Sequence, residues 1–140
     1  MIKSENAIGF NFVKYRVSEF SFIETKVNNP EFNLSFNPSG VYNESTGEYE
    51  LTINFESVEN ETKEVAIKAC CIAEYKFDKA YKFDELPSHF FLGAIPIFFP
   101  YLRAFISTLT LQANSNVLVL GLINFTNMAE PLKANTSILK

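Results

Sequence analysis

The residues that could perform catalysis are few in this chain of 140 residues. His89 is the only histidine, so any Ser-His-Asp or Cys-His arrangement would have to use it, and no nucleophile-elbow motif surrounds a serine. The five glycines lie at positions 9, 40, 47, 93 and 121, which fits neither a phosphate-binding loop nor a dinucleotide fingerprint. The sequence therefore predicts no catalytic residue and no cofactor. We interpret His89 as a surface residue at the start of a helix.

Side chains that could bind a metal ion are equally sparse. Cys70 and Cys71 are adjacent, and successive side chains of a strand point to opposite faces, so the two thiols are poorly placed to share a metal ion or to form a disulfide. Asp78, Asp84 and Glu85 form an acidic cluster, which we interpret as charge at a helix start rather than as a weak metal site. The sequence therefore predicts no metal site and two small buried cysteines.

Composition excludes one class of partner and points to another. The net charge is −4, and Lys and Arg are not clustered, so the chain has no surface suited to nucleic acid. Its length predicts a single domain over residues 1–140. Fifteen Phe and six Tyr with no Trp give more aromatic surface than one small core readily hides. We therefore expect some rings to serve an interface or an apolar binding surface.

The sequence also bears on location. The first ten residues lack the charged, apolar and small-residue pattern of a signal peptide, so we expect the protein in the cytoplasm. Residues 90–102 give a run of only about thirteen uncharged residues before Arg103, short of the roughly twenty that a spanning helix needs. Pro96 and Pro100 also interrupt it. We therefore predict no stable membrane insertion.

Alternating apolar residues predict four strands joined by short polar turns, at 11–24, 32–36, 48–56 and 64–77. In the first strand the apolar positions change parity near Ser18 and Glu19, which indicates a β-bulge. The second is expected to end at the turn 37–40. The apolar segment 117–125 fits either a short strand or an extended docking segment. We expect residues 10–125 to be structured and residues 127–140 to form a weakly ordered tail.

Residues 92–111 are the most apolar stretch of the chain. With Pro100 at the first helical position, a helix can run to about Gln112. It has no wide polar face, so one small domain cannot cover it on every side. The expected fold is α+β, a four-stranded antiparallel meander sheet followed by a long apolar helix. We assign oligomer contacts to residues of this helix and of the fourth strand, whose middle is apolar on both faces: Tyr101, Leu102, Phe105, Ile106, Leu109, Ile67, Ala69 and Cys71.

Several motifs in combination resemble the SecB-type protein-export chaperones. They are Pro87-Ser88-His89, Leu92-Gly93-Ala94, Pro96, Phe99-Pro100-Tyr101-x-Arg103, Ile106-Ser107-Thr108 and Asn124-Phe125. The four predicted strands also fall in the family's order. The resemblance covers roughly residues 10–125, and its Phe-Pro-Tyr-x-Arg piece with an upstream Leu-Gly-Ala is the most specific part.

The resemblance implies a homotetramer, a dimer of dimers in which the long helices lie between two sheets. It also implies ATP-independent holding of unfolded polypeptide clients in long apolar grooves. Residues flanking the first loop, where such a groove would lie, either line the groove or pack in the core. The candidates for client binding are Phe20, Phe22, Phe32, Leu34, Phe36 and Phe125.

Two departures from the family leave the client open. Pro131 interrupts any long second helix, and residues 137–140 replace the acidic tail that contacts the SecA motor in the family. The chain could therefore serve protein export with SecA, or it could be dedicated to a single client such as an antitoxin. The alternative is a SecB-like assembly protein that binds one specific folded partner without general chaperone activity.

Overall fold

The computed structural model describes residues 8–116, 118, 120, 121 and 123–139. Residues 1–7, which form most of the segment that the signal-peptide prediction concerns, lie outside that range. Two 3₁₀ turns, at Phe83–Glu85 and Thr126–Met128, precede the two helices. The regular elements are β1 (Phe10–Phe22), β2 (Phe32–Asn43), β3 (Glu48–Glu59), β4 (Val65–Phe77), α1 (Ser88–Gln112), α2 (Ala129–Ala134) and β5 (Thr136–Leu139).

The strands form one five-stranded sheet in the order β1-β4-β3-β2-β5. Strands β1 to β4 pair antiparallel, whereas β5 pairs parallel to β2. The α+β class and the long helix are confirmed, but the prediction of a four-stranded, wholly antiparallel sheet is wrong. The fifth strand has only four residues, which is too short to produce a periodic pattern.

Contacts distant in sequence hold β5 at the edge of β2. The Gly40 N–H donates to the Asn135 carbonyl (3.1 Å), and the Tyr49 hydroxyl hydrogen-bonds the Thr136 hydroxyl (2.6 Å). A Cβ at Gly40 would overlap the Tyr49 hydroxyl, so glycine is needed there. The expected weakly ordered tail instead contains α2 and β5 up to Leu139.

The irregularity predicted in β1 is confirmed. The register with β4 shifts between Val17 and Glu19, where the apolar parity changes. A second shift between Phe12 and Lys14 was not predicted. The described residues of the segment 117–125 lie in no helix or strand.

The predicted end of β2 is wrong because the strand continues through Pro38 to Asn43. Proline lacks a backbone N–H and is tolerated in a sheet where that position faces away from the neighbouring strand. The Pro38 carbonyl accepts from the Asn135 side chain on the β5 side (3.3 Å), so its nitrogen faces the same way and β3 loses no hydrogen bond.

The predicted start of the helix at Pro100 is also wrong. Helix α1 begins at Ser88, and both Pro96 and Pro100 lie inside it with their side chains exposed. Each proline removes one helical hydrogen bond. Burial of the opposite face against the sheet offsets that loss, because Phe90, Phe98 and seven other side chains of α1 are buried. The predicted end at Gln112 is confirmed.

Phe90 is the centre of the aromatic core. Its ring is fully buried, and the centroids of Tyr49 and Phe77 lie 4.8 Å away. Phe10 and Tyr75 contact it at 4.9 and 5.5 Å. Three of these four contacts, those with Phe10, Tyr49 and Tyr75, are edge-to-face. That geometry stabilises aromatic pairs beyond their area, so Phe90 fixes the N-terminal half of α1 on the sheet.

Within the described part of the chain, α1 is the one helix that is long and apolar enough to cross a membrane by length and composition. Its most apolar window is 44% buried inside the fold. The core helix of a protein in water can have the same length and composition. Helix α1 is of that kind on its face toward the sheet.

Burial of weakly acidic side chains on the sheet, Tyr15 and Cys71 among them, predicts how stability depends on pH. Burial raises the pKa of Tyr15 and of the Cys71 thiol to about 12, so the folded state keeps protons that the unfolded chain releases. This contribution is fully present below about pH 9 and is lost as the pH rises toward 12. We expect the urea concentration at the midpoint of unfolding to stay constant up to about pH 9 and to fall at higher pH.

The matched variant is Tyr15→Phe, which removes one of these titrating groups. Its urea midpoint should fall less steeply in the same alkaline range. A midpoint that rises with alkaline pH would contradict the assignment.

Candidate functional site

A groove lies between the β1–β2 loop and the C-terminal end of α1, and we call it the loop groove. Its volume is about 830 Å³. Strands β1, β2 and β4 supply its apolar floor, and the loop and the last turn of α1 supply its walls. It is lined by Phe22, Ile23, Glu24, Thr25, Val27, Asn28, Asn29, Pro30, Phe32, Ala66, Ile67, Thr110, Asn114, Ser115, Asn116 and Leu118.

The walls of the loop groove are fixed by specific hydrogen bonds. The Ile23 N–H donates to the Ala66 carbonyl (2.8 Å), so the loop leaves β1 along β4. On the other side the Leu118 N–H donates to the buried Thr110 hydroxyl (3.0 Å), and the Ser107 hydroxyl donates to the Leu118 carbonyl (3.1 Å). The segment after α1 is therefore held against the helix, and the groove is built before any ligand arrives.

The chemistry of the groove is apolar below and amide-rich at the rim. Glu24 is the single charged residue among the lining side chains. Asn28, Asn29, Asn114 and Asn116 are all exposed there. An amide side chain both donates and accepts hydrogen bonds, so this rim can pair with the main chain of a polypeptide whatever its sequence.

A buried carboxylate lies beside the groove. Glu59 Oε1 accepts from the Thr62 and Glu61 N–H groups (2.8 and 2.9 Å), and these bonds, the Thr62 one foremost, hold the pKa of Glu59 below its usual range. Its Oε2 is buried without a partner among the described residues. The sequence showed Glu59 only as part of a turn, and no pattern indicated that it would be buried.

The structure brings two of the predicted client-binding residues, Phe22 and Phe32, into the loop groove. Leu34 follows Phe32 along β2 and is 37% exposed. Phe36 packs on Phe55, Phe99 and Phe125.

The other two predicted client-binding residues lie elsewhere. Phe125 is buried, so the structure places it in the core rather than on a binding surface. Phe20 is exposed on β1, at the other edge of the sheet from β2, where it contacts Phe105 (5.3 Å).

Most residues that the sequence assigned to an oligomer interface are covered by the chain itself. Burial within one copy leaves no surface for a second copy to contact, so these five are core residues: Leu102, Ile106, Ile67, Ala69 and Cys71. Tyr101 is 47% exposed, and Phe105 and Leu109 are half-buried. These three remain accessible.

The exposed residues of α1 from Leu92 to Leu111 are all uncharged. They recur every three or four positions, so they share one face of the helix, which we call the outer stripe. Arg103 lies on the same side of the helix, three residues after Pro100, and is half-buried, with its guanidinium 5.9 Å from the centre of the Phe99 ring. The outer stripe consists of Leu92, Pro96, Ile97, Pro100, Tyr101, Ala104, Thr108 and Leu111.

Among the polar candidates, His89 and Cys71 lie as the sequence predicted, whereas Cys70 is less buried than expected. His89 is exposed at the second position of α1. Cys70 is half-buried and Cys71 is buried, and both are free thiols. No group of three or more His, Cys, Asp or Glu side chains in the described residues could hold a metal ion.

Sequence comparison finds no family model and no curated protein that matches this chain. Among solved structures, the chain is similar to a SecB-like chaperone from Mycobacterium tuberculosis in complex with a ChAD peptide from the HigA1 antitoxin. That similarity has a TM-score of 0.66 at 13% identity and covers 81% of this chain and 87% of the other. A protein of unknown function from Streptococcus agalactiae gives a TM-score of 0.47 at 8% identity, covering 83% and 99%. This chain has the SecB-like fold.

Proposed function

We propose that the protein is an ATP-independent holdase that binds unfolded or nascent polypeptides in the loop groove. The observation that carries this proposal is the groove itself, with its apolar floor and its rim of four asparagines. The floor accepts aliphatic or aromatic side chains of a client, and the amides satisfy its main chain. Such a site recognises extended chain without selecting one sequence.

Assembly is part of the same proposal. A helix face of this length with Arg103 as its one charge is unusual on a monomer in water, and the outer stripe would be covered if helices of several copies packed together. We propose a homotetramer, a dimer of dimers, built through this stripe. The two free thiols fit a reducing compartment, so we place the protein in the cytoplasm.

A dedicated client is the second candidate. The SecB-like chaperone to which the fold is similar was solved with a peptide from an antitoxin, and this favours a client of that kind for the present chain. A role in protein export with SecA would be the general form of the same activity. A SecB-like protein that binds one folded partner is the alternative, and neither form requires a catalytic site.

The test is suppression of aggregation without ATP. An unrelated protein that aggregates on heating is mixed with increasing amounts of the chain, and light scattering is followed. A general holdase lowers the scattering at near-stoichiometric ratios. A dedicated chaperone protects only its own client, and binding of one folded partner with no protection of any unfolded chain would overturn the holdase proposal.

Ile23→Asp is expected to weaken client binding about tenfold, because a carboxylate in an apolar contact loses hydration. Ile23 lies in the loop groove and is 58% exposed, so the substitution should leave stability nearly unchanged. Binding is measured by fluorescence anisotropy of a labelled protein kept unfolded by alkylation of its cysteines.

Val13→Asp is the matched control for Ile23→Asp. Val13 is 57% exposed on β1 and does not line the loop groove. The Val13→Asp variant should therefore bind the client with the affinity of the wild type. Equal losses in the two variants would contradict the placement of the site.

A further inference from the structure

We propose that the open edge of β5 binds an extended, basic segment of a partner protein as a further strand of the sheet. The occupant is a stretch of about six residues in which Lys or Arg alternates with aliphatic side chains. Strand β5 pairs with residues 40–43 of β2, whereas the loop groove lies at the start of β2. The inference therefore goes beyond the holding of an unfolded client in that groove.

The pairing of β5 with β2 shows which main-chain groups of β5 are available. The Leu139 carbonyl accepts from the Glu44 N–H (2.9 Å), and the carbonyl of Asn135, just before β5, also accepts from β2. Residues that face a given neighbour alternate along a strand, so the odd-numbered residues of β5 face β2. The N–H and C=O groups of Thr136 and Ile138 therefore face away from β2, toward the edge of the sheet.

Strand β5 is the end strand of the sheet and, within the described part of the chain, pairs with β2 alone. Ser137, Ile138 and Leu139 are exposed. The strand has no charged side chain, no proline and no register shift, whereas β1 at the other edge has charged side chains and two register shifts. Charges and bulges keep an edge from pairing. Because β5 has only four residues, side-chain contacts must supply much of the affinity for an added strand.

The first of two cavities beside β5 lies on the α1 side of the sheet, and we call it the near cavity. Ile138 pairs with the buried Tyr42, so its side chain lies on this side. It lines the near cavity, of about 630 Å³, together with Ala80 and Phe83. The remaining lining residues are Glu44, Ser45, Lys82 and Asp84. Aliphatic side chains at alternate positions of an added strand can contact Ile138 and Phe83 there.

The second cavity lies on the opposite side of the sheet, and we call it the far cavity. Leu139 lines it with Val41, and its volume is about 500 Å³. Three carboxylates also line it, those of Glu48, Glu50 and Glu74, against the single ammonium of Lys76. That ammonium already contacts the Thr46 carbonyl. Lys or Arg side chains on this side of an added strand therefore meet a complementary charge.

Glu48 is the carboxylate best placed to meet such a segment. Arg16 pairs with Glu50 and Glu74 (3.7 and 3.9 Å) from the β1 side of the far cavity. Glu48 is exposed, and no ion pair engages it among the described residues. It lies opposite the β2 residue that pairs with Leu139. The charge balance next to β5 thus favours a basic occupant.

Ile138→Pro tests the main-chain pairing, and Ile138→Ala is its matched control. Both variants lose the same side chain, but only proline removes the outward N–H, which makes no bond to β2. The probe is a soluble seven-residue peptide in which Lys and Val alternate. We expect Ile138→Pro to bind it about tenfold more weakly than Ile138→Ala. A twin peptide with Glu in place of Lys should bind the wild type about tenfold more weakly than the Lys peptide.

Glu48→Gln tests the charge of the far cavity, and Glu19→Gln is its control. Glu19 is exposed on β1 and lines neither cavity. We expect Glu48→Gln to weaken binding of the Lys peptide about threefold at low salt and Glu19→Gln to leave it unchanged. Equal losses in the two variants would mean that only the net charge of the protein attracts the peptide, and they would overturn the assignment of the far cavity.

Hydrogen exchange on the wild-type chain locates the peptide without any variant. Binding should slow exchange at the Thr136 and Ile138 amides and leave those of Ser137 and Leu139, which face β2, unchanged. Equal binding to both Ile138 variants, with no added protection, would overturn the site. Protection that grows with protein concentration in the absence of peptide would assign the edge to a second copy and would overturn the basic partner.

This site and the proposed holdase can fail separately. Ile138 does not line the loop groove, so Ile138→Pro should bind an unfolded client with the affinity of the wild type. Ile23→Asp, in turn, should bind the Lys peptide as the wild type does. Displacement of the bound peptide by an unfolded client would make the β5 edge part of the client site and would overturn a separate partner.

Discussion

Replacing Phe90 with alanine is expected to lower the free energy of unfolding by about 4 kcal/mol, the largest effect on folding stability of any substitution considered for this chain. The ring is fully buried and contacts four rings of the sheet as well as Phe91. Its removal leaves a cavity that rigid neighbours cannot fill. Since small domains are stable by only about 5–15 kcal/mol, the variant should melt far below the wild type in urea or on heating.

Leu92→Ala provides the comparison on the same helix. Leu92 is 44% exposed on the outer stripe, so its truncation should lower the free energy of unfolding by less than about 1 kcal/mol. If the two variants unfold at the same urea concentration, the aromatic cluster does not hold α1 on the sheet.

The second large effect concerns assembly, and it is expected for Ala104→Glu. Ala104 is exposed in the middle of the outer stripe, where the proposed tetramer would bury it. An unpaired carboxylate in such a contact opposes association by about 4 kcal/mol, or roughly a thousandfold in the dissociation constant. We expect light scattering at micromolar concentration to give dimers or monomers for this variant.

Ala104→Ser keeps the small volume without the charge and should retain the wild-type mass. Because the substituted side chain is exposed in a single copy, neither variant should change the fold. A wild-type chain that is monomeric at these concentrations would remove the tetramer proposal, and unchanged mass in Ala104→Glu would place the contact elsewhere.

Strand periodicity was sufficient to predict the central elements of the fold. Residues 48–56 and 64–77 alternate so regularly that β3 and β4 could be placed from the pattern alone. The parity change near Ser18 and Glu19 located a real bulge because side-chain alternation along a strand breaks only when an extra residue is inserted.

The start of α1 could not be predicted, because proline's effect depends on which helix face is covered. Pro96 and Pro100 lie on the exposed face, where the lost hydrogen bonds are offset by aromatic burial on the other side. The position of β5 could not be predicted from the sequence either. Its attachment depends on a hydroxyl pair between Tyr49 and Thr136, which only the folded chain brings together.

The residues that line the loop groove were predicted in part, and their role in binding a client stays a prediction. Phe22 and Phe32 were identified because they flank the first loop, but Ile23, Val27 and the asparagines of the rim were not. The run Asn28-Asn29-Pro30 between two strands was the one available indication of that rim. Residues such as Leu102 and Ile106 were assigned to an interface because an apolar pattern does not distinguish a face covered by the same chain from one covered by another copy.

The ends of α1 have a consequence for the order in which the chain folds. The helix has no side-chain cap at Pro87, no acidic residue in its first turn and no basic residue in its last, and two prolines interrupt it. Such a segment does not form a stable helix alone, so we expect α1 to form only as it packs on the sheet. Until α1 packs there, the aromatic face of the sheet is exposed to solvent. The newly made chain is then briefly an aggregation-prone intermediate, the kind of species that holdases bind.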